Sequence, residues 1–188
     1  MGRIEDRLAE LGLELPEPFG PPPGVEFRFD LVRVSGALGY VSGHLPMNGS
    51  NVLVQGRVGD GLTVEQGYEA ARLTTLSILA SLKRELDELD RVTAWVKALG
   101  LVQCAPGFDK PPAVINGFTD LVLELWGDAG RHARSAIGAG QLPFDVPVEI
   151  EAIVEVRSEG GPGSRRRRAQ RRVTHRASAG RTGRGPSS

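Results

Sequence analysis

Residues 63 to 89, TVEQGYEAARLTTLSILASLKRELDEL, leave this chain the fewest structural choices. Val64, Tyr68, Ala71, Ile78, Leu82 and Leu86 recur near every 3.6 residues and line one helical face. Thr63 stands three residues before Gln66, so each side-chain oxygen can take the other residue's backbone N–H, as in a capping box. One long amphipathic helix follows, and its apolar face must be buried against another element.

The segments around it supply that element. Residues 27 to 43, FRFDLVRVSGALGYVSG, give two apolar stretches divided at Ser35-Gly36, which predicts an antiparallel hairpin with Phe29 in its first strand. Residues 47 to 61 are glycine-rich and polar, an irregular connection near a surface cleft. Residues 92 to 103 are strand-like, and Val114, Phe118, Leu121 and Leu125 mark a second amphipathic helix over 113 to 127. A last strand pair, about 132 to 138 and 147 to 156, closes the body.

The order β-β-α-β-α-β-β predicts an α+β fold, an antiparallel or mixed sheet with two helices packed on one face. The other face is then uncovered. Val148, Ile150 and Ile153, or their alternates, are expected on it, so apolar residues on both sides of the last strand argue for oligomerisation.

Outside the body the chain divides into three parts. Residues 1–26 form a short helical docking arm, with Ile4, Leu8 and Leu11 on one face, and a proline-rich linker; 27–157 form the α+β domain; 158–188 form an arginine-rich tail expected to be disordered. The formal charge is zero, yet 158–188 hold nine arginines and one glutamate. The remaining residues therefore carry 14 basic and 22 acidic groups, or −8. The tail can raise nonspecific affinity for nucleic acid, but it has no aromatics to stack on bases, and the acidic body repels a phosphate backbone.

Several chemistries lack their residues. Cys104 is alone, which excludes an internal disulfide framework and has no histidine beside it in sequence to activate it. His44, His132 and His175 show no metal-binding spacing, and neither a GxSxG elbow nor a phosphate-binding Gly-Lys-Ser/Thr loop occurs. No apolar run approaches the ~20 residues needed to cross a bilayer, and the acidic start does not read as a signal peptide, so the expected location is the cytoplasm.

Arg134 and Glu149 remain. In the expected strand pair they lie on neighbouring strands and face a common space. A guanidinium fork matches a carboxylate, so Arg134 can anchor an α-keto or α-imino acid. It can equally form an internal ion pair with Glu149. Spacing leaves both readings open.

Three segments then carry a resemblance. VSGHLP (41 to 46) is similar to an SGQxP strand, INGF (115 to 118) resembles a helix segment bearing an active-site asparagine, and ARS (133 to 135), Leu142-Pro143 and VEIEAI (148 to 153) follow a C-terminal signature in order and spacing. From Phe27 to Val156 the chain resembles the Rid enamine/imine deaminases, also called the YjgF or L-PSP family. The resemblance implies a chorismate-mutase-like (Rid) fold, a homotrimer with clefts at subunit boundaries, and cofactor-independent hydrolysis of 2-aminoacrylate and other 2-imino acids to 2-keto acids and ammonia, with no metal. It implies Arg134 on the substrate carboxylate, Glu149 on the attacking water, and Asn116, Gly43, Ser135 and Phe29 bordering the ligand. Phe29 replaces a tyrosine and Ala136 a cysteine of the archetype, as in a divergent branch. Other relatives imply an L-PSP-type endoribonuclease or translation inhibitor, or a non-catalytic carboxylate-binding homologue.

Overall fold

A computed structural model describes residues 2–21, 24 and 26–157. The arginine-rich tail lies outside the described residues. The first helix, α1, covers Arg3–Glu10, and its Ile4 and Leu8 enter the main core. Glu5 ties the arm down by accepting hydrogen bonds from Lys83 Nζ and the Leu89 backbone N–H.

A hairpin follows, β1 over Val32–Ser35 and β2 over Leu38–His44, turning at Gly36. Phe29 is in the loop ahead of β1 and not in a strand, because the β1–β2 pairing begins only at Val32 opposite Val41. The connection that follows contains two small pairs, β3 (Met47–Asn48) with β4 (Asn51–Val52) and β5 (Arg57–Val58) with β6 (Gly61–Leu62). The long helix α2 spans Val64–Leu86, and both capping-box hydrogen bonds are made, at 2.8 and 3.2 Å. Next come β7 (Val92–Gln103), α3 (Pro111–Trp126), β8 (Ala133–Ala139) and β9 (Val148–Val156).

The main sheet has the order β1-β2-β9-β7-β8. β7 pairs antiparallel with β9 and parallel with β8, which it reaches through the crossover helix α3. This corrects the expected β8–β9 pair. The two strands that carry Arg134 and Glu149 are separated by β7. Their short connection does not form a hairpin because buried Gln103, at the end of β7, holds it across that end. Its side chain accepts from the Leu142 N–H at 2.7 Å and donates to Asp145 Oδ1 at 2.5 Å, and its backbone N–H reaches the Pro147 carbonyl at 2.9 Å.

Both long helices pack on one face of the sheet against Val41, Ala98, Val102, Ile150 and Val154. They approach closely at Gly117, where a Cβ would collide with the Tyr68 carbonyl of α2. On β9, Val148 and Ile150 point into this core, so the outward positions are Glu149, Glu151, Ile153 and Glu155. The outer face keeps an apolar share through Tyr40, Leu99, Leu101, Ile137 and Ile153, interspersed with those glutamates and Lys97. Among the described residues no helix is long and apolar enough to cross a membrane.

Candidate functional site

Arg134 stands on β8 opposite Ala98, whose partner Ala152 packs against the helices, so its side chain rises on the helical side of the sheet. There it lies over α3. One guanidinium nitrogen donates to Asn116 Oδ1 and to Thr119 Oγ1, both at 2.9 Å, and the other donates to the Pro112 carbonyl at 3.4 Å. All three acceptors are neutral, and among the described residues no carboxylate lies within ion-pair distance of Arg134. The fork is positioned without being neutralised, as an anion site requires.

Two further residues complete this cluster. Thr119 follows Asn116 by three positions in α3 and so shares its face. His132 precedes Arg134 by two; its Nδ1 donates to the Gly130 carbonyl at 2.7 Å, which leaves Nε2 to accept from the Thr119 hydroxyl at 3.4 Å. Burial, with the Arg134 charge adding to it, pushes the His132 pKa down, so the imidazole is neutral at pH 7. Sequence reasoning missed both. The i, i+3 spacing from Asn116 and the i, i−2 spacing from Arg134 were the available signals.

Glu149 belongs to the other face. It pairs with Leu101, alternating with core residues on both strands, and lies two strands and three residue positions away from Arg134. At ~4.8 Å per strand and ~3.3 Å per residue that separation is about 14 Å between backbones, with the side chains pointing apart. The internal Arg134–Glu149 ion pair is therefore not formed, and the two do not face a common space within one chain. The Glu149 carboxylate instead rests over Gly43 on β2, where a Cβ would overlap its oxygen. Burial, reinforced by the Glu151 charge, raises its pKa.

The other expected residues divide in the same way. Asn116 joins Arg134, whereas Ser135 faces outward and accepts from Lys97 Nζ at 3.1 Å. Phe29 lies near Gly43, because the adjacent Ser42 binds the Phe29 loop: its N–H donates to the Leu31 carbonyl at 3.0 Å and its hydroxyl to the Asp30 carbonyl at 2.8 Å. Arg131 is exposed and paired with Asp128 at 3.3 Å, apart from both groups. Among the described residues no cluster of histidine, cysteine, aspartate and glutamate fits a metal ion.

Among the described residues, one group thus holds a cation with polar support and no carboxylate partner, and the other a carboxylate of raised pKa against bare backbone. Residues 5–155 match the family described as "YjgF/chorismate_mutase-like, putative endoribonuclease". Protein TCP17 of Trypanosoma cruzi is 38% identical over 156 residues, 82% of this chain and 95% of its own length. Protein Atu1372 of Agrobacterium tumefaciens, of unknown function, is 39% identical with a TM-score of 0.73 over 82% of this chain and 92% of its own. A protein of Shewanella oneidensis described as a putative endoribonuclease is 31% identical with a TM-score of 0.75, over 81% and 99%.

Proposed function

The chain belongs to the YjgF/chorismate-mutase-like family, and from that premise we propose that it hydrolyses the imine tautomers of small 2-amino-2-enoic acids to 2-keto acids and ammonia. The observation that carries this reading is the Arg134 guanidinium, held by Asn116, Thr119 and the Pro112 carbonyl with no carboxylate among the described residues to neutralise it. A substrate carboxylate supplies the missing charge. Water then adds to C2 of the imine, its proton passing to Glu149, and the tetrahedral adduct expels ammonia after the nitrogen is protonated. A glutamate whose pKa is raised by burial is suited to accept and return that proton. Fixing carboxylate and water in one cleft replaces a bimolecular encounter.

Within one copy Arg134 stands on the edge strand β8 and faces the helices, whereas Glu149 on the central strand β9 faces away from them, so a complete cleft takes Arg134 and Asn116 from one copy and Glu149, Gly43 and Phe29 from the next. Such a head-to-tail contact uses different surfaces on each partner and closes into a ring, here a trimer. The outer sheet face, with Tyr40, Leu99 and Ile137, is the surface such a ring covers.

The test couples the protein to an enzyme that releases 2-aminoacrylate and follows trapping of the imine by semicarbazide. Wild type is expected to suppress semicarbazone formation and accelerate ammonia release, and Arg134→Ala to lose at least a hundredfold in kcat/KM. Absence of acceleration by wild type defeats the reading. The description of the matched family and of the Shewanella protein favours a second reading, RNA cleavage. It predicts breakdown of structured RNA by the full chain that Arg134→Ala and Glu149→Gln abolish.

A further inference from the structure

Phe29 stands on the surface with 55% of its area exposed, yet it is not loosely placed. Its ring stacks on Phe27 at 4.9 Å and 25°, Phe27 leans on Phe19 at 5.4 Å, and Phe19 is buried with its edge on His44 at 5.8 Å. Three rings therefore run from the core toward solvent, and the last is more than half exposed. The two Ser42 hydrogen bonds fix the loop that carries it, one residue from the Gly43 backbone on which Glu149 rests.

Between this loop and β2 lies a groove of about 530 Å³, walled by Phe27, Phe29, Tyr40 and Ser42, with Arg28 and the Arg33–Asp30 ion pair lining the rest. Small-ligand clefts commonly enclose ~300–1,000 Å³, and an offset aromatic pair with ring centres ~4.5–7 Å apart is a favourable contact beyond the area it buries. Tyr40 is itself 45% exposed and belongs to the outer face that carries Glu149. A hydroxyl at position 29 would give this wall a polar tip, whereas phenylalanine leaves it apolar.

We infer that the Phe27–Phe29 pair selects the ligand's side chain, and that the preferred ligand is a 2-imino or 2-keto acid bearing an aromatic ring. The inference rests on the reading of Gly43 and Glu149 as part of the substrate cleft. The carboxylate and C2 lie toward Arg134 and Glu149, and the ring lies on Phe29.

The keto acids are the stable products, so the experiment reads binding as well as turnover. Phenylpyruvate and pyruvate are titrated into the full chain by calorimetry, for wild type, Phe29→Ala and Phe29→Tyr, with near-UV circular dichroism and mass in solution as checks on folding. Wild type is expected to bind phenylpyruvate at least tenfold more tightly than pyruvate. Phe29→Ala brings that ratio close to one and Phe29→Tyr retains most of it. Equal affinities in wild type, a ratio unmoved by Phe29→Ala, or failure of wild type to bind either acid overturns the inference. Imines released by an amino-acid oxidase from phenylalanine and from alanine then report turnover. Selective binding without turnover defeats the deaminase reading and leaves the side-chain selector standing.

Discussion

Replacing Arg134 by lysine keeps the charge and discards the fork. A lysine cannot bond Asn116, Thr119 and a ligand carboxylate together in one plane. Arg134→Lys is expected to lower kcat/KM about a hundredfold, with KM carrying most of the loss, in steady-state assays of ammonia release. Glu149 makes the opposite kind of prediction. Its pKa is higher folded than unfolded, so at pH 7 its ionised form destabilises the native state, and the effect fades as pH falls and the group protonates. Glu149→Gln should therefore unfold at a higher temperature than wild type at pH 7 and at the same temperature at pH 4, while kcat falls ~10²–10⁴-fold. His44 is a buried base with no part in this chemistry. Its ring bonds the Ser42 carbonyl at 2.7 Å and Ser81 Oγ at 2.9 Å, and burial lowers its pKa to about 4. The unfolded histidine takes its proton near pH 6.5, so stability is lost as pH falls from there toward 4, at about 1.4 kcal/mol per unit. Urea titrations of His44→Gln across that range should show a flatter profile than wild type. The residue types at 116, 134 and 149 were legible in the sequence. That Arg134 leans on an α3 threonine shared with His132 was not, since a strand's register against a helix is set by packing rather than by local pattern.

Among the elements, α2, β7 and the β1–β2 hairpin lie close to their expected positions, because capping, period and turn chemistry are local properties. Strand order is not local. Arg134 and Glu149 were expected on adjacent strands, and only eight residues join β8 to β9, fewer than a parallel crossover needs. The chain instead steps over the end of β7 on a turn in which Phe144 and Asp145 both adopt φ of 58°. Two successive non-glycine residues in the left-handed region are strained, and the Gln103 clamp, with Gln55 donating to the Phe144 carbonyl at 2.8 Å, holds them there. Gln103→Ala strands the Leu142 N–H inside the protein and opens a void. It is expected to cost about 2–4 kcal/mol by chemical denaturation.

For the whole molecule, the proposed cleft shared between copies predicts a result that no single-chain site can imitate. Arg134→Ala and Glu149→Gln are each expected to lose a hundredfold or more alone, yet refolded together in equal amounts they should recover about a quarter of wild-type activity, the chance that an intact arginine meets an intact glutamate across a contact. A mixture as inactive as its components places both residues in one copy. Of the residues expected on the uncovered sheet face, Val148 and Ile150 are core, while Ile153 does lie outward and shares that face with apolar residues of other strands. The sheet order bears also on how the chain reaches its fold. Among the described residues β9 is the last strand in sequence and the central one in space, pairing Leu38 with Glu155 and Val92 with Val156. Until residues 148–156 arrive, β2 and β7 both expose open edges, and closing the sheet requires contacts across more than a hundred residues. Folding should be slow for a chain of this size, with Ile150→Val retarding refolding more than it speeds unfolding, and a chain shortened before β9 should aggregate rather than fold.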